Sequence, residues 1–135
     1  MTTLRRKSRE FALQMLFEWD MTRQEPSRIE QLFWKTARAA DSTRRFANQL
    51  FEGAVTEADA TDELVAKLSE NWRLDRLAAV DRGILRLGIY ELKSGTAPPK
   101  VAIDEALELA KKFSSEEAPA FLNGILDAAL KTLKK

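Results

Sequence analysis

Residues 4–10, LRRKSRE, are the stretch of this chain richest in groups that could do chemistry. Arg5, Arg6, Lys7 and Arg9 place four cations together, and no acid precedes Glu10. The chemistry on offer is anion recognition. Guanidinium forks match phosphate oxygens two at a time, and a lysine adds a point charge. FALQMLFEWD follows with helical spacing, so the cations open a helix at the end where its macrodipole favours acids. An external polyanion would supply that negative charge and meet the exposed backbone N–H groups. At about 100° per residue, Leu16 points within roughly 20° of Arg5, and Arg9 and Ala12 within about 40°. One face is thus arginine-bearing first and apolar later. The simplest geometry has the first turns projecting past the bundle edge, with Arg5 and Arg9 displayed beside it. A solvated basic end that binds nothing competes with this, and the charge pattern alone leaves the two open.

Other constellations offer less. There is no cysteine, which removes disulfide and thiolate chemistry, and no histidine, which removes the usual general base and the commonest metal ligand. No glycine-rich phosphate loop or nucleophile elbow occurs. The chain is expected not to be an enzyme and to carry no cofactor or metal. Glu57, Asp59, Asp62 and Glu63 read as a solvated helix face. Arg44 and Arg45 form a second basic pair, for which local pairing with Asp41 is the preferred reading. Arg82 and Arg86, on an apolar helix, call for internal acid partners. Lys131, Lys134 and Lys135 suit a helix C-terminus.

The elements that must position these groups are helical. With 135 residues, 44% hydrophobic and 32% charged, the chain can bury a core as one domain spanning 1–135. Net charge is +1, divided into ten Lys/Arg against six Asp/Glu in residues 1–50 and twelve against fifteen in 51–135. That split suits a polyanion-binding end on an acidic body. Five glycines, four prolines and few β-branched residues favour long helices. The first is expected over 4–22 and a second after Ser27 as its cap. A long third is expected from Asp41-Ser42 to about Ser69, and after a lapse near Asn71 the pattern resumes. Residues 80–93 are apolar on several sides and should be the helix others pack around, with Gly83 and Gly88 allowing close approach. Pro98-Pro99 marks a connection before VAIDEALELAKKF, and Pro119 could open a last helix running through Asn123-Gly124. The expected fold is an all-α bundle of six or seven helices. No apolar run reaches the roughly 20 residues of a membrane span, and no secretion signal opens the chain, so a cytoplasmic location is expected.

Three blocks carry a resemblance: RRKSREFALQMLFEW, VDRGILRLGIYEL and PPKVAIDEALELAKKFSSEEAPAFLNGILD. In order and separation they resemble the NusB family of bacterial transcription antitermination factors. The resemblance implies a seven-helix, all-α fold. It also implies pairing with NusE, a small-subunit ribosomal protein, to bind boxA in nascent RNA and help RNA polymerase resist termination on ribosomal RNA operons. By resemblance, Arg5, Arg6, Lys7, Arg9 and Glu117 would contact single-stranded boxA RNA, and Phe17, Asp81 and Phe121 would contact NusE. Phe17 is often Tyr in the family and Asp81 often Glu. Ala118-Pro119-Ala120 stands where a basic residue is frequent, so one phosphate contact is expected to be missing.

The competing class is a helical protein-interaction module, as a homodimer or with another partner, whose basic end is incidental. An RNA-modifying enzyme ranks below both: NusB-like domains occur fused to methyltransferases, but nothing in these 135 residues leaves room for that second domain.

Overall fold

The computed structural model describes residues 2–69 and 77–134, so the expected lapse near Asn71 lies outside the described residues. Seven helices and no strand occur among them. They are α1 (Thr2–Thr22), α2 (Pro26–Thr36), α3 (Asp41–Thr56), α4 (Ala58–Leu68), α5 (Ala79–Ser94), α6 (Pro99–Phe113) and α7 (Ala118–Leu133). None is long and apolar enough to cross a membrane.

Helix α5 is the axis of the bundle, touching α1, α3, α4, α6 and α7. Its residues from Gly83 to Ile89 are all buried, as its apolar character on several sides predicts. Both of its interior glycines serve close approach. A Cβ on Gly83 would stand 2.9 Å from Leu13 Cδ1, and one on Gly88 would stand 3.1 Å from Leu126 Cδ2. Around this axis one apolar cluster draws on all seven helices, with Met15 and Leu16 from α1, Leu50 and Phe51 from α3, and Leu122 and Leu126 from α7 at its heart.

Two helix boundaries differ from expectation. The long third helix is two, because Glu57 leaves the helical path between α3 and α4. A straight helix of that span would be about 42 Å long. The break lets α3 pack on α1 while α4 turns to cover α5 and α7. Ser27 is not the cap of α2. Pro26 opens that helix, where its missing N–H costs nothing, and Glu25 precedes it without a side-chain cap. Asn123-Gly124 stays helical within α7, as its preserved apolar period requires.

Candidate nucleic-acid interface

The first turns of α1 separate their four cations. Arg5, Arg6 and Lys7 are exposed, whereas Ser8, Arg9 and Glu10 are buried. No acid stands in the first turn. Arg5 lays its guanidinium 3.9 Å from the centre of the Phe46 ring on α3, and among the described residues no carboxylate pairs with it. Arg6 donates from Nε and Nη2 to the two carboxylate oxygens of Glu105 on α6, at 3.1 and 2.8 Å. That hydrogen bond, then the Glu105 charge, raises the Arg6 pKa further above its ordinary value. The Arg6 side chain nevertheless stays 45% exposed. Lys7 reaches Glu10 at 3.6 Å and remains mostly exposed.

Arg9 corrects the expectation. Its side chain is 3% exposed and grips Glu91 of α5, itself 2% exposed, through Nε and Nη2 at 2.8 and 2.9 Å. Thr96 donates to the same carboxylate at 2.7 Å, and Arg9 Nη1 lies 3.7 Å from Glu105. Arg9 is therefore not displayed, and it offers no fork to an external phosphate. The physical reason lies in its depth along the helix, since Arg5 shares its direction but stands one turn nearer the end and stays exposed. Arg9 points with Ala12 and Leu16 into the bundle, and a charge there must be paired. What it does is hold α1 against α5 and α6, fixing the turn from which Arg5, Arg6 and Lys7 emerge.

Beside this turn, α6 adds two exposed lysines. Lys112 donates to Glu10 at 3.0 Å, and Lys111 to Glu108 at 3.3 Å. With Arg6, Glu10, Glu108 and Leu109 they line a cleft of about 310 Å³ between α1 and α6.

Of the other predicted residues, Asp81, Glu117 and Phe121 come to the turn that follows α6. Asp81, in the first turn of α5, accepts from the Ser114 hydroxyl at 2.6 Å. This ties α5 to the turn that leads through exposed Glu117 to half-buried Phe121 on α7. Phe17 is 47% exposed, on the helix that meets α5 at Gly83. Met21, one helical turn on, is more exposed still. An exposed aromatic and a thioether together make a surface suited to a protein partner.

Sequence reasoning missed Glu91 and Glu105, the acids that decide which arginines stay free. Glu91 could have been noticed, since it is the acid in the run LGIYEL. The internal partners expected for Arg82 and Arg86 are present. Asp20 accepts from Arg82 Nη2 at 2.6 Å and from Arg86 Nη1 at 2.8 Å. Asp62 accepts from Arg86 Nε and Nη2 at 3.0 and 2.9 Å. Asp62 is thus not part of a solvated acidic face. Burial pushes the Asp20 carboxyl up, but the hydrogen bonds from Arg82 and Arg86 outweigh it and hold it below its ordinary value. Arg44 lies over the Trp34 ring, 5.2 Å from its centre, and is not paired with Asp41 among the described residues.

Comparison with known proteins gives this arrangement its context. A family model described as the NusB family matches residues 6–131. The transcription antitermination protein NusB of Koribacter versatilis (strain Ellin345) is 44% identical over 134 residues, covering 98% of this chain and 92% of that one. Its counterpart in Myxococcus xanthus (strain DK1622) is 41% identical over 136 residues, covering 97% of each. Among solved structures, T. maritima NusB superposes with a TM-score of 0.83 at 33% identity, over 94% of this chain and 90% of that one. A chain from a structure of antitermination factors NusB and NusE in complex with dsRNA gives a TM-score of 0.85 at 29% identity, over 98% and 99%. Matched from the first turns of α1 to the last turn of α7, and sharing its fold with solved members, the chain belongs to the NusB family.

Proposed function

We propose that this protein is a transcription antitermination factor. With NusE it binds boxA-type RNA in nascent ribosomal RNA transcripts and helps RNA polymerase resist termination in the cytoplasm. It acts as one domain, by binding and not by catalysis. The observation that carries the reading is the exposed triad Arg5, Arg6 and Lys7, opening a helix with no acid in its first turn. Phosphate oxygens complete the charge that the helix start lacks, and Arg9 holds the triad in place from within. A neighbouring fold captured with NusE and dsRNA supports both partners. The exposed Phe17 and the tie between Asp81 and the Ser114–Phe121 turn support a NusE surface separate from the triad.

The test is a salt-series titration of boxA RNA against the wild type and an Arg5→Ala/Arg6→Ala/Lys7→Ala variant, with and without NusE. Three lost phosphate contacts should flatten the log–log salt slope by about 2 for a single strand. Unchanged affinity and slope in a variant that retains its helical circular dichroism would overturn the reading. Indifference of the wild type to RNA in both mixtures would return the chain to the interaction-module class.

A further inference from the structure

The edge where α1 meets the start of α3 carries cations that the triad does not account for. Arg44 and Arg45 are exposed in the opening turns of α3. Arg44 is set over Trp34, and the Trp34 indole N–H donates to Asn48 Oδ1 at 2.8 Å, which fixes the ring. Trp34 meets Phe11 edge-on with ring centres 5.2 Å apart, and Lys7 Nζ sits 5.2 Å from the Phe11 ring. One aromatic cluster thus bears a cation from α1 and a cation from α3. Arg5, over Phe46, spans the same two helices, and the Ser8 hydroxyl ties them by donating to the Thr43 carbonyl at 2.9 Å. The cations therefore run from α1 onto α3 as a single strip, with exposed Asp41 the acid in α3's first turn.

Such a strip has the chemistry of an unpaired polynucleotide site. Single strands are held by cations tracking the backbone and by bases stacking on aromatic faces and guanidinium planes. A guanidinium already resting on a ring has less side-chain freedom to lose when a ligand arrives. We infer that the strip from Arg5 and Lys7 to Arg44 and Arg45 is a track for single-stranded RNA, extending the triad's site so that the protein grips a strand longer than α1 alone could cover. The inference rests on the RNA-binding reading above and adds the path of the strand to it.

The test uses the full chain with NusE, a labelled short boxA strand, a longer unpaired strand extending past boxA on both sides, and a duplex of that length. Arg44→Ala/Arg45→Ala should weaken the longer strand on the order of tenfold and flatten its salt slope by about 1.4, with little effect on the short strand. Arg44→Lys, which keeps the charge and loses the plane, should keep the slope while losing affinity for the unpaired strand more than for the duplex. Full wild-type affinity of the folded double variant for the longer strand overturns the track. If the α1 triple variant still weakens binding in that case, the RNA reading stands without it. If neither variant has an effect, the RNA reading falls as well. A loss of equal size on the short and long strands, or on duplex and single strand, also overturns the track.

Discussion

The start of α1 and the start of α5 both place arginines on helices that face the core, yet they end in opposite states. On α5, Arg82 and Arg86 meet Asp20 and Asp62, and Arg23 of the loop after α1 reaches Asp20 from the surface at 3.7 Å. On α1, Glu91 and Glu105 take up Arg9 and Arg6, Glu10 is shared between Lys7 and Lys112, and Arg5 rests on an aromatic ring. Both α5 guanidiniums are engaged by carboxylates. The α1 cluster keeps an open surplus directed outward. Charge density along the sequence therefore says little about function until the acids are counted in space.

Breaking the buried pairs gives the largest expected effect. Arg86→Ala leaves Asp62 without its cation and Asp20 without one of its two guanidinium donors, and should cost about 3–5 kcal/mol of unfolding free energy. Arg9→Ala strands Glu91 and belongs in the same range, whereas Arg5→Ala should cost no more than about 1 kcal/mol, the scale of an exposed cation–π contact. Urea denaturation of the three variants checks the ranking. An Arg9→Ala variant as stable as Arg5→Ala would mean that Arg9 is not the internal tie described.

A smaller effect separates the clusters by pH. Asp20 is held below its ordinary pKa of 3.8, so its contribution is complete above that value and is lost as pH falls through the folded one. Asp20→Asn should be less stable than the wild type near neutrality, and the gap should close on acidification. A constant gap in thermal melts down to pH 3 would refute the linkage.

A pH effect of the opposite sign concerns two acids that meet with no cation paired to them among the described residues. Glu30 on α2 faces Glu52 on α3, and one Glu30 carboxylate oxygen is buried without a hydrogen-bond partner among the described residues. Burial first, then the hydrogen bond with and charge of Glu52, pushes the Glu30 carboxyl from 4.5 up to about 8. The folded state then holds a proton that the unfolded chain releases, so stability falls as pH rises from 4.5 to about 8. Glu30→Gln should flatten that decline and be the more stable protein above pH 8. Parallel pH profiles of wild type and variant would show that the pair does not share a proton.

Much of this was legible in particular residues. The apolar period carried α7 through Asn123-Gly124, and the near-continuous apolar run of 80–93 marked α5 as the axis. Arg5 and Arg9 share the face of Ala12 and Leu16, and the depth at which packing buries the second and leaves the first exposed was not legible. The break at Glu57 was not legible, because no glycine or proline marks it and the apolar spacing runs on through Ala54, Ala58 and Val65. Gly53 was passed over too, yet a Cβ there would stand 2.1 Å from the Tyr90 ring, a clash visible only once α3 and α5 are side by side.

By itself, the sequence determined the all-helical class, most of the apolar stripes, the concentration of cations at the amino end and the likeness to a family. These depend on residues within a few turns of one another, where periodicity and propensity act. Only the tertiary structure decided which cations remain available. Glu91 and Glu105, which engage Arg9 and Arg6, stand 82 and 99 positions further along the chain. Coulomb attraction and desolvation depend on distance through space, so packing α1 on α5 and α6 neutralised one arginine completely, held a second in part and left a third exposed.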